Sequence, residues 1–338
     1  MLLCCVVLSI GLGGCKHKDR VVLPAFYHWK TNFAPSKREW AYMQRMRANK
    51  MYVRYFDVDW NPVKQRAVPL ASLRMKGNFP RNCEIVPTVY ITNRTLVHTP
   101  DDQVGTLGKR IAQHLLNLTD TLTLHEIQID CDWTAQSRDR YFLLLDQLGA
   151  SFDSLNVELS STIRLHQVKY YEQTGVPPVQ RGMLMFYNMS DVRDEETRNS
   201  ILDLEVAEAY VEYLEAYPLP LDLALPIFSW GVVRRSGKTV HLINNLRAEQ
   251  LKDTTRFAFL PQSRIEVKKS TYLNGFYLYA EDTIRIEDVS VDRLEDAAKL
   301  LAENLKGDSL HISFYHLDTP TIQQYPHETL ESVIAHFR

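Results

Sequence analysis

Residues Leu124–Thr134 read LHEIQIDCDWT, and the reading of this stretch decides the fold. Side chains of a β-strand alternate between two faces. Glu126, Gln128, Asp130, Asp132 and Thr134 therefore share one face, and Ile127, Ile129, Cys131 and Trp133 share the other. Charges are not buried without partners. A strand that is apolar on one side and acidic on the other fits an α/β barrel, in which the C-terminal ends of the strands line an active site.

Working outward, strands and helices alternate. Val22–His28 reads as strand one, Lys37–Ala48 as a helix, Tyr52–Asp59 as strand two and Glu84–Ile91 as strand three. Asp101–Leu118 places Val104, Leu107, Ile111, Leu115 and Leu118 at helical spacing. LHEIQIDCDWT is strand four. Downstream come a helix at Ser137–Leu148, strand five at Asn156–Arg164, a short helix around His166–Gln173, strand six at Gly182–Asn188, a helix at Glu195–Ala216 and strand seven at Leu221–Ser229. Alternation breaks over 232–287, where RFAFL, RIEV and GFYLYAEDTIRIE read as strands of a small sheet. Helix Val291–Leu305, strand eight at Ser309–His316 and helix Glu328–Phe337 complete the chain. The pattern predicts a (β/α)8 TIM barrel over 22–338, with a small α+β insertion at 232–287 between strands seven and eight. An open doubly wound sheet is the alternative, but no GxGxxG loop follows the first strand.

The chain has 338 residues, 45% of them hydrophobic, and a formal net charge of −2. That balance argues against a nucleic-acid partner, which needs a basic face. Residues 1–14 are apolar, too short to span a bilayer as a helix, and read as a targeting segment. Leu12-Gly13-Gly14-Cys15 resembles the lipobox of bacterial lipoproteins. The resemblance implies a signal peptide at 1–14, lipidation of Cys15, a linker at 15–21, and a location in the cell envelope, anchored to a bacterial membrane. Beyond Cys15 only Cys83 and Cys131 remain, so no disulfide framework is expected. Neither a CxxC nor an HExxH pattern occurs, nor a glycine-rich phosphate cradle. The expectation is a site without metal or cofactor.

The strand ends combine aromatics with carboxylates and amides: Trp29 after strand one, Asp57 and Asp59 on strand two, Asp130 and Asp132 on strand four, Arg164 on strand five, Tyr187 and Asn188 on strand six, Trp230 after strand seven. Flat rings stack on pyranose faces, and carboxylates and amides bond hydroxyls. That composition points to a glycan ligand. Here a resemblance applies. Asp130-Cys131-Asp132-Trp133-Thr134 resembles the DxxDxDxE motif of family 18 glycoside hydrolases, with Asp130 and Asp132 at the second and third acidic positions. Met185-Phe186-Tyr187-Asn188 resembles that family's MxY(D/N) motif. The whole chain looks like a group of bacterial lipoproteins with glycosidase-like barrels. The resemblance implies a glycoside hydrolase-like protein in which Asp130, Asp132 and Tyr187 line the pocket.

Two departures limit it. The motif's first acidic position is Ile127, and its last, the catalytic Glu, is Thr134. A threonine hydroxyl cannot serve as a general acid near neutral pH. Three readings of Asp130 and Asp132 stay open: a catalytic acid–base unit with Tyr187 beside it, a pair that binds sugar hydroxyls, or a structural pair neutralised by Arg164. A second carboxylate could come from Asp57, Asp59, Glu281, Asp282 or Asp318, with the Asp57 and Asp59 pair the best placed to supply what Thr134 lacks. His28, His166 and His316 read as hydrogen-bonded rim histidines, since no spacing supports a metal.

Overall fold

The computed structural model describes residues 20–76, 79–80 and 82–338. The targeting segment and Cys15 lie outside the described residues. Eight parallel strands carry the fold: β1 Val21–His28, β2 Lys50–Asn61, β3 Glu84–Ile91, β4 Glu126–Asp130, β5 Glu158–Arg164, β6 Arg181–Met185, β7 Leu221–Pro226 and β8 Ser309–Tyr315. Each pairs with its neighbour in sequence, and β1 pairs with both β2 and β8. The sheet therefore closes on itself, which leaves no edge among the eight. Helices follow most of the strands and pack outside, so the architecture is the expected (β/α)8 barrel.

Alternation sorts the side chains. Ile127, Ile129, Cys131 and Trp133 point outward and are buried under the helices. Glu126, Gln128 and Asp130 point inward and are also buried. Helix Asp101–Leu118 turns Val104, Leu107, Ile111 and Leu115 onto the barrel, as their spacing requires.

Several elements end sooner than their sequence pattern suggests. β4 stops at Asp130, β6 at Met185 and β7 at Pro226. The residues beyond these points leave the strands, although the amides of Phe186 and Ile227 still donate to Ala224 O and Tyr315 O on the next strand, at 3.0 and 2.9 Å. The helix expected over Glu195–Ala216 is only Leu204–Val211. Its first part is a loop held by side chain to backbone bonds at Asp191, Asp194 and Asn199, which compete with helix formation. A short helix at Thr319–Gln324, capped by Asp318, has no counterpart in the sequence reading.

The insertion is a five-stranded antiparallel sheet in the spatial order Lys238–Asn244, Trp230–Arg235, Thr283–Glu287, Arg264–Val267, Phe257–Leu260. It has its own core, including Val233, Ile243, Phe257, Ile265 and Ile284. Because its second strand starts at Trp230, directly after β7, one edge of this sheet stands over the C-terminal end of the barrel.

Candidate functional site

Inside the barrel, β4 and β5 form a ladder of polar contacts. Ser160 donates to Glu126 at 2.5 Å, and Lys50 of β2 reaches the same carboxylate at 2.8 Å. One rung higher, the Tyr27 hydroxyl donates to Gln128 at 2.6 Å. Thr162 then donates to Asp130 at 2.7 Å, and Arg164 binds Asp132 through Nε at 2.6 Å. The lower rungs fill the barrel. The upper two reach a cavity of about 330 Å³ at the C-terminal end of the strands.

Every strand, or the turn after it, contributes to this cavity. Trp29, Arg54 and Tyr90 come from the first three. Asp130, Asp132 and Arg164 come from β4 and β5, and Met185, Tyr187 and Asn188 from β6. Phe228, Ser229 and Trp230 follow β7, Tyr315 and His316 close the ring, and Asn244 and Asn245 enter from the insertion. The structure thus brings together Trp29, Asp130, Asp132, Arg164, Tyr187, Asn188 and Trp230 from the sequence-predicted set.

Asp57 and Asp59 are not among the cavity-lining residues. The register of β2 against β3 shifts between Arg54 and Phe56. Residues three apart in a regular strand face opposite sides, but an extra residue restores them to one side. Arg54 and Asp57 can therefore meet, and both Nε and Nη2 of Arg54 bind the Asp57 carboxylate. Asp59 is taken by Arg94, by the Thr92 hydroxyl and by the Trp60 backbone amide. The arginine bonds hold Asp59 down to about 2. Thr134 is exposed in the turn after β4, its backbone amide bonded to Ser137 Oγ, and it does not line the cavity.

Sequence reasoning missed Arg54, Phe228, Asn244 and Asn245. Arg54 carries a signal, since it follows Tyr52 by two residues on the inward face. The two asparagines carry none, because only the placement of the inserted sheet brings them in.

Charge in the cavity is mostly matched. Arg164 neutralises Asp132, whose side chain is 48% exposed, and the Arg164 guanidinium lies 5.6 Å from the Tyr187 ring centroid. Arg54 sits 5.6 Å from the Trp29 ring. Burial lowers the His28 imidazole to about 4, and burial likewise lowers His316, so both are neutral near pH 7. Tyr187 keeps its proton, because burial raises the phenol well above its usual value, and its hydroxyl contacts Met185 Sδ at 3.1 Å. Its ring packs 5.1 Å from Tyr315 and 5.7 Å from Phe228. Asn188 adopts φ 56°, a left-handed conformation that asparagine tolerates. Its backbone amide donates to Ile201 O at 2.9 Å. Among the described residues no group of three or more His, Cys, Asp or Glu is placed to hold a metal.

Asp130 is the exception. It is 7% exposed, its hydrogen bond comes from a neutral hydroxyl, and among the described residues no arginine bonds it. Burial, with the Asp132 charge second, pushes its carboxyl up from 3.8 to about 6. The folded value exceeds the unfolded one, so the ionised form opposes folding. Stability from this group is complete below about pH 4 and is lost as pH rises through 6, by up to about 3 kcal/mol. Asp130→Asn keeps the acceptor for Thr162 and removes the titration. We therefore expect the stability difference between Asp130→Asn and wild type to grow in the mutant's favour from pH 4 to pH 7, read by urea denaturation at each pH. A difference independent of pH would contradict this account.

No family model matches the sequence, and no curated protein matches it. Solved structures do. The spore cortex-lytic enzyme SleL of Bacillus cereus matches with a TM-score of 0.56 at 11% identity, covering 95% of this chain and 75% of that one. A chitinase from Chromobacterium violaceum matches with a TM-score of 0.54 at 10% identity, covering 93% and 99%. The family 18 chitinase ChiB from the chitin utilization locus of Flavobacterium johnsoniae matches with a TM-score of 0.55 at 10% identity, covering 94% of each. At these identities the likeness establishes a shared fold: the chain is built on the barrel seen in family 18 glycoside hydrolases.

Proposed function

We propose that the protein binds a glycan in the cavity at the C-terminal end of its barrel, without hydrolysing it by the chitinase route. One observation carries the reading: six aromatic side chains, Trp29, Tyr90, Tyr187, Phe228, Trp230 and Tyr315, surround a polar floor of Asp130, Asp132 and Arg164. Small-ligand sites are largely apolar with a few placed polar groups. Rings can cover the apolar faces of a sugar while the floor and the amides of Asn188, Asn244 and Asn245 take its hydroxyls. The barrel shared with chitinases and a cortex-lytic enzyme supports the same class of ligand.

Turnover is harder to support. The motif position of the catalytic Glu holds Thr134, exposed and outside the cavity lining. Hydrolysis by two carboxylates needs a base or nucleophile beside the acid. Asp57, Asp59 and Asp132 are each engaged by an arginine. A second reading, hydrolysis with Asp130 as general acid, is favoured by the rise of its carboxyl to about 6.

A panel of chitin- and peptidoglycan-derived oligosaccharides separates the two, with binding measured by calorimetry and sugar release by chromatography. Binding without release is the expected outcome, and Asp132→Asn, which loosens Arg164, should weaken it about tenfold. Release of sugar that Asp130→Asn abolishes would establish the second reading instead. A panel with neither binding nor release would remove both.

We further propose that the protein is held at a bacterial membrane by lipid on Cys15. The lipobox-like Leu12-Gly13-Gly14-Cys15 supports this reading. Two or more acyl chains anchor stably, where one is marginal. In a bacterial host, wild type should incorporate labelled palmitate and sediment with membranes, and Cys15→Ser should do neither. Membrane association that survives Cys15→Ser would count against the anchor.

A further inference from the structure

We propose that Glu287 is a positioning residue for the cavity: its buried carboxylate fixes the Trp230 ring and so sets one wall of the binding site. The binding consequence rests on the glycan reading, whereas the positioning itself does not.

Glu287 ends the inserted strand Thr283–Glu287, directly opposite Trp230 in the antiparallel register. Side chains opposed in this way share a face. Glu287 is fully buried, and four donors converge on it. Its Oε2 accepts from Trp230 Nε1 at 2.8 Å and from the backbone amide of Ser200 at 2.9 Å, and also from the Ser200 hydroxyl. Its Oε1 accepts from Arg285 Nε at 2.7 Å. Arg285, itself buried, donates onward to the carbonyls of Val192 and Asp194 at 3.0 Å each.

One carboxylate therefore joins three parts of the molecule: the inserted sheet, the loop after β6 and a side chain of the cavity. A carboxylate side chain, with two acceptor oxygens, can take donors from several directions at one point. Arg285 supplies the countercharge that makes its burial tolerable. Indole has a single polar hydrogen, so the bond to Glu287 leaves the Trp230 ring one orientation. The ring edge packs on Phe228 at 5.3 Å and 64°, and Phe228 in turn packs on Tyr187. The face that Trp230 offers to a sugar is thus set from outside the barrel, by a residue that does not itself line the cavity.

Glu287→Gln tests this, since it keeps the volume but turns an NH2 toward converging donors. The protein, labelled with 5-fluorotryptophan, has five tryptophans, and Trp230→Phe identifies the Trp230 resonance by its loss. In Glu287→Gln the fluorine spectrum should show that resonance moved and broadened, with the other four unchanged. If Glu287→Gln does not fold, Ser200→Ala removes a donor from the same oxygen and should give the same signature in milder form. A Trp230 resonance that stays in place, or five that all move, overturns the positioning role.

The probe for the second arm is a tetramer of β-1,4-linked N-acetylglucosamine. Its affinity should fall about tenfold in Glu287→Gln but no further when Glu287→Gln is added to Trp230→Phe, because the two act as one unit. Equal losses in both backgrounds would show that Glu287 acts on binding by another route, and overturn the proposal. If wild type binds no tetramer while the Trp230 resonance moves, the glycan reading fails for this sugar and the positioning role stands.

Discussion

Closing eight parallel strands into a ring forces every second side chain of each strand into one shared interior, and in this chain many of those side chains are polar. An unpaired charge there would cost several kcal/mol. The rest of the structure depends on how that cost is met. Lys50 and Ser160 meet Glu126, Tyr27 meets Gln128, Thr162 meets Asp130, and Arg164 meets Asp132. Ser160, Thr162 and Arg164 come from β5, which pairs directly with β4, whereas Lys50 and Tyr27 reach the same stripe across the interior from β2 and β1, so these contacts tie β4 both to its neighbour and to the far wall. The polar stripe is consequently structural at its base and exposed to a ligand only at its top.

That gradient shapes the chemistry open to the cavity. Carboxylates are plentiful near its rim, but arginines hold Asp57, Asp59 and Asp132. Of the two carboxylates that line the cavity, Asp130 is the one without an arginine bond among the described residues, and it sits where burial outweighs the hydroxyl that bonds it. The result is a neutralised, aromatic-walled cavity with one titrating group at its floor. Such a site suits recognition of a polyhydroxylated ligand more readily than two-carboxylate hydrolysis.

Fold class was legible because two periodicities alternate cleanly along the chain. Glu84–Ile91 and Asp101–Leu118 match the observed elements end to end. Errors fall where local pattern and tertiary packing diverge. Phe186 and Ile227 continue the apolar pattern of their strands and each keeps one backbone bond to the next strand, yet both fall just outside the regular strands, which end at the barrel rim. At the site, parity was a sound guide on β4 and β5, where the strands are regular. It failed on β2, where a register shift beside Tyr55 turned Arg54 and Asp57 into partners. No local signal could place Asn244 and Asn245 in the cavity, since their position depends on how a separate sheet is clamped through Glu287.

The claim that the ligand sits at the C-terminal end of the barrel is open to a direct measurement: amide hydrogen exchange, followed by mass spectrometry, with and without saturating oligosaccharide. The account predicts slowed exchange at 130–134, 187–189, 228–231, 244–245 and 315–317, the backbone that frames the cavity. Protection confined to the opposite end of the barrel, around Glu84, His125 and Glu158, would contradict it.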